Sequence, residues 1–264
     1  MSGGATDALR IAVTGAGGRM GREVIEAAAD RGGVAVAVAV NRTATDPVAG
    51  VEVDAADRLG ELLAAEDPDV LVDFTGPESA VAYAAACADA GVPMVTGTTG
   101  FEANQLDSLR AASESVPVLK ASNFARGVAA LRRAVREAAA ALPGYDVELT
   151  ETHHNGKRDA PSGTAKSILD DVEDVREDLD ERVHGREGDA PREAGEVGVH
   201  ARRAGDVTGE HEVLVAGNRE TLELTHRAGD RGVFAEGALD AAARLAGRDP
   251  GWYGFDDVLD AESE

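Results

Sequence analysis

The sequence has very little cysteine and lysine, and it lacks any long hydrophobic run. Cys87 is the only cysteine among 264 residues, which excludes an intramolecular disulfide. Its place in an alanine-rich segment predicts a buried residue that fills a small space. No apolar run approaches the roughly twenty residues that a membrane-spanning helix needs. The polar first residues, MSGGATDA, contain no basic region, so we expect no signal peptide and a soluble, cytoplasmic protein.

Positive charge is also scarce. The chain has 26 lysines and arginines against 49 aspartates and glutamates, which gives a formal net charge of −23. Such a surface repels nucleic acids and anionic membranes, so neither is an expected partner. Disorder does not explain the charge, because 43% of the residues are hydrophobic and they recur periodically. The hypothesis that remains is adaptation to high salt, where screening removes the self-repulsion.

A glycine-rich turn follows the first apolar segment of the chain. Residues 9–14 predict a buried strand, and Met20, Val24 and Ala27 then fall at helical spacing. Glycines at positions 15, 18 and 21 provide a tight turn, a close phosphate approach and a contact between helix and strand. The alternative is an ordinary glycine-rich turn. We predict a dinucleotide site that includes Gly15, Ala16, Gly17, Gly18, Arg19 and Met20.

The second predicted strand, residues 34–40, ends at Asn41 and Arg42. An acidic residue about twenty residues beyond the glycines would bind the ribose 2′-hydroxyl of NAD. Asn41 is not acidic, and Arg42 can pair with a 2′-phosphate. These residues favour NADPH, or the use of both NADPH and NADH, although a solvated strand end is the alternative.

Three more buried strands are predicted at residues 69–74, 92–96 and 116–119, with helices between them. This alternation predicts an α/β fold with a Rossmann-like, doubly wound parallel sheet. Ligands of such sheets bind beyond the carboxyl ends of the strands. Besides the residues named above, the predicted binding edge includes Thr75, Gly97, Thr98, Thr99, Ala121, Ser122, Asn123 and Phe124.

The pattern changes in the second half of the chain. After a helix at residues 128–142, we predict a strand at 145–150, a helix at 162–174, and an acidic surface loop at 173–193. Strands joined by tight turns follow up to residue 227. We expect these elements to form a smaller α+β domain with a mostly antiparallel sheet. Its exposed edges and bare face favour oligomerisation through that sheet.

The predicted domains follow from these patterns. Residues 1–124 and 232–264 would form the dinucleotide-binding domain, and residues 125–231 would form the domain for substrate binding and oligomerisation. The long helix carries the chain out of the first domain, and a last amphipathic helix, predicted at residues 233–245, returns it.

Residues 151–166, ETHHNGKRDAPSGTAK, contain two of the six histidines and two of the three lysines. The segment PSGTA is typical of a helix start, with Ser162 or Thr164 as the cap. A helix start offers unpaired N–H groups and the positive end of a dipole. Imidazoles, an ammonium and this helix start together predict an anion-binding site with a proton donor.

Two plainer interpretations of this segment are disfavoured. A surface histidine pair beside an ordinary capped helix is disfavoured by the density of these features. A metal site is not predicted, because adjacent strand residues point to opposite faces and His153 and His154 cannot easily chelate one ion. No further Cys/His set supplies ligands.

These segments together resemble the dihydrodipicolinate reductases of lysine and diaminopimelate biosynthesis. The resemblance covers nearly the whole chain. It implies reduction of 4-hydroxy-tetrahydrodipicolinate to tetrahydrodipicolinate by NADPH or NADH, and a homotetramer assembled through the second-domain sheet. The segments that carry it are the glycine turn and residues 73–75, 97–101, 123–124, 151–165 and 203–211.

The resemblance also implies roles for single residues. His153 would be the acid/base residue, Lys157 a proton donor and His154 a substrate ligand. The N–H groups of Gly163 and Thr164 would bind a carboxylate of the cyclic dicarboxylate substrate.

Two features depart from the family pattern. Asn41 stands where an acidic residue is common, and Ala125-Arg126 replace a frequent serine and aliphatic residue. Two other functions would share the first domain. Another two-domain NAD(P)-dependent dehydrogenase, acting on sugars or amino acids, would need no such anion site, and a non-catalytic NAD(P)-binding sensor would need neither His153 nor Lys157.

Overall fold

The computed structural model describes residues 8–259. This part of the chain divides into two compact units. The first contains the residues up to Phe124 and those from Arg231 onward, and the second is Ala125–Asp230. The two ends of the predicted first domain, residues 1–7 and 260–264, lie outside the described residues, and so does nearly all of the polar N-terminal segment.

The first unit alternates strands and helices. Its strands are β1 (Leu9–Thr14), β2 (Val34–Asn41), β3 (Thr45–Val48), β4 (Val51–Ala55), β5 (Val70–Asp73), β6 (Met94–Thr96), β7 (Pro117–Lys120) and β13 (Gly251–Tyr253). Its helices are α1 (Arg19–Asp30), α2 (Leu59–Glu66), α3 (Pro77–Ala90), α4 (Ala103–Ser113), α7 (Gly232–Leu245) and α8 (Phe255–Leu259).

These strands form one eight-stranded sheet in the order β13-β7-β6-β5-β1-β2-β4-β3. Every pairing is parallel except that of β3 with β4. The order reverses at β1, which pairs with β2 on one side and β5 on the other. The predicted Rossmann-like parallel sheet is therefore confirmed. The β3–β4 hairpin and the edge strand β13 had not been predicted.

Aliphatic side chains fill the core of this unit. Strands β5 and β6 are buried along their whole length, because helices cover both faces of a parallel sheet. Cys87 is fully buried in this core, as predicted, and burial raises the pKa of its thiol. Helix α7 packs against β5, β6 and β7. It comes so close to the end of β7 that a Cβ on Gly237 would lie 1.7 Å from the Phe124 carbonyl oxygen.

The second unit contains two long helices and a five-stranded sheet. Its elements are α5 (Arg126–Ala141), β8 (Asp146–His153), α6 (Gly163–Glu173), β9 (Glu181–His184), β10 (Glu196–Arg203), β11 (Gly209–Gly217) and β12 (Glu220–Ala228).

The second sheet is mixed: two of its four strand pairings are antiparallel, as predicted, and the other two are parallel. Its order is β12-β11-β8-β10-β9. Strand β11 pairs antiparallel with β8 and β12, whereas β10 pairs parallel with β8 and β9. The predicted turn at residues 204–206 does not close a hairpin, because β8 lies between β10 and β11. Instead it crosses the end of β8, where the Ala204 N–H donates to the His153 carbonyl oxygen at 2.9 Å.

The predicted surface loop at residues 173–193 contains a strand, so this prediction is also corrected. Strand β9 lies within it, and ion pairs hold much of the rest. Arg182 bonds Glu173 at 2.5 Å. Arg186 pairs with Glu196 at the start of β10, and Arg192 pairs with Glu148 near the start of β8. A short strand with charged residues lacks the apolar alternation by which strands are recognised.

One face of the second sheet is covered and the other is polar. Helices α5 and α6 pack on the face that carries Val147, Leu149 and Val213. The opposite face carries partly exposed polar residues such as Glu148 and Thr150.

Among residues 8–259, no helix has both the length and the hydrophobicity required to cross a membrane. In the same residues, no group of three or more His, Cys, Asp or Glu side chains is arranged to hold a metal ion.

Candidate active site

The glycine turn between β1 and α1 leaves no space for a side chain at Gly15 or Gly21. Gly15 has φ +68°, and a Cβ on Gly21 would lie 2.1 Å from the Gly15 carbonyl oxygen. The Gly18 N–H donates to the same oxygen at 2.8 Å. No side chain caps helix α1, so its first-turn N–H groups and its dipole favour an anion such as a diphosphate. These features fit the dinucleotide site that the sequence predicts.

The other predicted cofactor residues lie along one edge of the first sheet, where β2, β6 and β7 end. The Asn41 amide lies over the turn, with its Nδ2 3.0 Å from where a Gly17 Cβ would be. Arg42 is exposed. Phe124 differs from the rest, because its ring is 1% exposed and packs edge-on against Phe74 and Phe255. Its side chain therefore belongs to the core.

Asp73, at the end of β5, organises this edge. Its buried carboxylate accepts hydroxyl hydrogen bonds from Thr14, Thr75, Thr96 and Thr98 at 2.6 to 2.8 Å. The Thr98 hydroxyl oxygen accepts the Thr75 N–H at 3.1 Å, and that of Thr96 accepts the Thr98 N–H at 3.2 Å. Each hydroxyl thus has its proton directed at Asp73. The network joins the ends of β1, β5 and β6.

In the second unit, β8 places Glu151 and His153 on the same face, because residues two apart on a strand point the same way. The Glu151 carboxylate is fully buried. Its Oε2 contacts His153 Nδ1 at 2.6 Å and accepts from Arg203 Nη1 at 2.8 Å. Its Oε1 accepts from Arg203 Nη2 at 2.7 Å and from the Ser162 N–H at 3.1 Å. One carboxylate therefore joins β8, β10 and the start of α6.

The charge states of this cluster follow from its contacts. Burial alone would raise the pKa of Glu151, but hydrogen bonds from Arg203 and His153 outweigh it and hold that pKa below its ordinary value. Burial lowers the pKa of His153, although Glu151 opposes this shift. At neutral pH the cluster therefore consists of a carboxylate, a guanidinium and a neutral imidazole.

His154 and Lys157 occupy the turn that follows β8. The Lys157 N–H donates to the His154 carbonyl oxygen at 3.1 Å. The Lys157 ammonium pairs with Asp159 at 2.9 Å, and its side chain is 22% exposed. The ammonium of Lys157 and the half-buried imidazole of His154 thus both follow His153 closely in sequence, just after the end of β8.

Helix α6 begins beside this turn. Ser162 is its N-cap, as predicted, and the Ser162 hydroxyl accepts the Ala165 N–H at 3.1 Å. Gly163 and Thr164 are the first residues of the helix, where N–H groups have no carbonyl four residues earlier within the helix. The structure thus gathers the predicted substrate residues at the end of β8 and the start of α6.

His211, on β11, completes the cluster. Its ring centroid lies 5.3 Å from that of His153 in an edge-on arrangement. Its Nε2 is 3.1 Å from the Ser162 hydroxyl oxygen. Burial, with the nearby His153, lowers the pKa of His211 to about 3, so it packs as a neutral side chain.

Glu151, Arg203 and His211 had not been predicted as site residues, although each lies in a segment that carries the family resemblance. The spacing of Glu151 and His153 on one strand was a usable signal. Arg203 had no such local signal, because only the parallel register of β8 and β10 places it opposite His153.

The first unit has a parallel sheet with a dinucleotide-type glycine turn, and the second has an acid/base cluster beside a helix start. Together these features define an NAD(P)-dependent oxidoreductase. The family description "Dihydrodipicolinate reductase, N-terminus" matches residues 9–124. The description "Dihydrodipicolinate reductase, C-terminus" matches residues 127–259. The chain belongs to the dihydrodipicolinate reductase family.

Similar proteins agree with this assignment. The 4-hydroxy-tetrahydrodipicolinate reductase of Haloarcula marismortui is 55% identical over 96% of this chain and 99% of its own length. That of Natronomonas pharaonis is 54% identical over 95% of this chain and 100% of its own. A dipicolinate-bound dihydrodipicolinate reductase from Paenisporosarcina sp. TG-14 matches the structure with a TM-score of 0.74 and 25% identity, over 94% of this chain and 97% of that one.

The fold alone is shared more widely. An amine dehydrogenase from Mycobacterium smegmatis matches with a TM-score of 0.63 at 16% identity, over 95% of this chain and 96% of that one. The functional assignment therefore depends on the site and the family, because one fold can carry many activities.

Proposed function

We propose that the protein reduces 4-hydroxy-tetrahydrodipicolinate to tetrahydrodipicolinate with NADPH or NADH, as a step of lysine and diaminopimelate biosynthesis. The observation that carries this proposal is the cluster at the end of β8. It combines an acid/base histidine on a buried carboxylate, a lysine ammonium and a helix start. A small cyclic dicarboxylate requires this combination of cations, backbone donors and a proton donor.

Each residue of the cluster has a proposed role. The first-turn N–H groups of Gly163 and Thr164 bind one substrate carboxylate, and His154 is a further substrate ligand. The overall reaction adds one hydride and one proton and releases one water. Lys157 donates the proton, and His153 is the acid/base residue that assists.

The nicotinamide cofactor, when bound, supplies the hydride. The glycine turn would bind its diphosphate, and Asn41 and Arg42 would contact its adenosine ribose. The remaining contacts come from Gly97, Thr98, Thr99, Ala121, Ser122, Asn123 and the backbone of Phe124. In this proposal the chain orients the cofactor and moves protons, while the hydride chemistry belongs to the cofactor.

The activity is tested by following NADPH and NADH oxidation in molar KCl, with and without a dihydrodipicolinate synthase that generates the substrate. Synthase-dependent oxidation is the expected result. Cofactor binding without such oxidation would reject the substrate. Turnover with sugars or amino acids would then favour a different dehydrogenase, and the absence of any turnover would favour a sensor.

Arg42→Ala is expected to weaken NADPH binding by about tenfold or more and to leave NADH binding nearly unchanged. The removed guanidinium is the proposed partner of the 2′-phosphate, and a hydrogen bond to a charged group contributes about 1.5–3 kcal/mol. Dissociation constants from cofactor fluorescence check this. Arg58→Ala is the control, because Arg58 is exposed and pairs with Asp54. Equal losses for both cofactors would contradict the role of Arg42.

We also propose a cytoplasmic homotetramer that assembles through the polar face of the second sheet. That face is not covered by α5 or α6, and an open sheet exposes edges and one bare face. Light scattering after gel filtration in molar KCl measures the mass of the assembly. A monomer under these conditions would refute the proposed assembly.

The unfolding temperature is expected to rise steeply with salt. A net charge of −23 repels itself in dilute buffer. Between 0.1 M and 1 M KCl the screening length falls from about 10 Å to about 3 Å, which removes most of this repulsion. Calorimetry across this range is the measurement. Adaptation to high salt also fits the relatives from Haloarcula and Natronomonas. An unfolding temperature independent of KCl would reject this adaptation.

A further inference from the structure

The buried carboxylate of Glu151 is connected to three parts of the proposed substrate site, namely His153, the start of α6 and Lys157. It contacts His153 directly, and through the Ser162 N–H it holds the residue that caps α6. Arg203, which is bidentate on Glu151, also donates to the Asp159 carbonyl oxygen at 2.6 Å. Asp159 is the ion-pair partner of Lys157. The acid/base histidine and the helix start therefore each contact this carboxylate directly, and the lysine is linked to it through Arg203 and Asp159.

We propose that Glu151, held by Arg203, is a positioning residue that fixes the tautomer and ring orientation of His153, so that proton transfer takes place at Nε2. The inference deepens the proposed function, because it depends on the acid/base role of His153. The tautomer itself is a property of the free protein, and it can be measured without substrate or cofactor.

The hydrogen-bond geometry determines the tautomer. Glu151 Oε2 already accepts from Arg203 Nη1, and an ionised carboxylate has no proton to donate. The short contact of 2.6 Å to His153 therefore requires the proton to be on Nδ1. The opposite tautomer would bring two lone pairs together. Nε2 is left as the atom that exchanges a proton, as in other carboxylate–histidine pairs.

The surroundings of Nε2 support this assignment. A Cβ on residue 209 would lie 3.1 Å from His153 Nε2, but that residue is Gly209. The glycine therefore leaves space beside the atom to which proton transfer is assigned. The charged and titratable groups around His153 are Glu151, Lys157, Arg203 and His211. Among them Glu151 alone is anionic at neutral pH, so it alone favours the protonated imidazole.

The same strand provides a matched control. Glu148 also bridges a histidine and an arginine, with His200 Nε2 at 2.7 Å and a contact to Arg192. It lies on the opposite face of β8, away from the proposed site. A purely structural role for such bridges would make the two glutamates equivalent in their effect on catalysis.

The decisive comparison is Glu151→Gln against Glu148→Gln. In Glu151→Gln, the fixed Ser162 N–H keeps the amide oxygen on the α6 side and turns the NH₂ group towards His153 Nδ1. The proton of His153 then moves to Nε2. Two-bond ¹H–¹⁵N correlation spectra report the tautomer, and the His153 signals are identified by their loss in His153→Asn. We expect the Nδ1–H form in the wild type and in Glu148→Gln, and the Nε2–H form in Glu151→Gln.

Kinetics provide a second readout. Glu151→Gln is expected to lower kcat by about a hundredfold or more, by analogy with other carboxylate-to-amide changes beside a histidine, while substrate KM changes by less than about threefold. The ionisation of His153 in the pH profile should move to lower pH, because the anion that favours its protonated form is lost. Glu148 lies on the face proposed for assembly, so gel filtration must first show that Glu148→Gln keeps the wild-type mass. With that mass unchanged, Glu148→Gln should match the wild type in kcat, KM and pH profile.

Several outcomes would overturn the inference. A wild-type His153 in the Nε2–H form would do so without any variant, and so would equal kinetic losses in the two glutamine variants. If Glu151→Gln does not fold, Arg203→Lys keeps the charge but loses the bidentate contact, and it should lower kcat with little change in KM. An inactive wild type with the Nδ1–H tautomer would instead reject the proposed function and leave the geometry of Glu151 intact.

Discussion

Lys157→Ala is expected to lower kcat by about a hundredfold or more, as for the loss of a general acid. The ammonium is the proposed proton donor, and it is held beside Asp159 at 2.9 Å in the turn after β8. NADPH binding should stay nearly intact, because the glycine turn belongs to the other compact unit. Stopped-flow single turnovers and a fluorescence titration with NADPH measure the two effects separately.

Lys166→Ala is the control for this variant. It removes the same charge from the same segment, but Lys166 is exposed on α6. Its effect on stability should stay within about 0.5 kcal/mol, as for most surface substitutions, and its kcat should be unchanged. Normal turnover in Lys157→Ala would remove Lys157 from the mechanism. Equal losses in both variants would mean that net charge, and not the position of the ammonium, determines the rate.

Gly21→Ala is expected to weaken NADPH binding by about a hundredfold or more. The new Cβ would lie 2.1 Å from the Gly15 carbonyl oxygen and 2.8 Å from the Ala16 Cα. Both are backbone atoms, so α1 must move away from the turn. The diphosphate would then lose charge-assisted hydrogen bonds that contribute about 1.5–3 kcal/mol each. Overpacking should also destabilise the fold by about 1–3 kcal/mol. Calorimetry and cofactor titration are the measurements.

Gly60→Ala provides the comparison. Gly60 lies in helix α2, and a Cβ there would meet no atom within 4 Å. Alanine should stabilise this helix by up to about 1 kcal/mol and leave cofactor binding unchanged. If Gly21→Ala bound NADPH as tightly as Gly60→Ala, the close contact of α1 with the turn would have no part in cofactor binding.

The buried strands of the first unit could be predicted because their composition is nearly continuous aliphatic. The predicted strands at residues 9–14, 34–40 and 69–74 agree with β1, β2 and β5 to within a residue or two at each end. Strands β3 and β13 had no such signal. β3 contains a proline and is mostly exposed, and β13 is three residues long with every residue half-buried. Their positions depend on the tertiary structure at the sheet edges.

Part of the site could be predicted from the sequence because its chemically active residues are concentrated in one segment. His153, His154 and Lys157 lie within five residues, and Gly163 and Thr164 follow a capping serine. The partner that determines the state of Glu151 is 52 residues away in sequence. Its contact depends on β10 pairing parallel with β8, and the sequence indicates turns between these strands without indicating which strand lies between them.

The place of α7 in the chain has a consequence for folding. Its residues follow the whole second unit, yet it covers β5, β6 and β7. During synthesis these strands emerge from the ribosome with one aliphatic face exposed, and it stays exposed while about a hundred further residues are added at roughly 5–20 residues per second. The second unit can complete its own sheet before α7 covers the sheet of the first unit. We therefore expect the nascent chain to be a substrate for chaperones until residue 245 has been added.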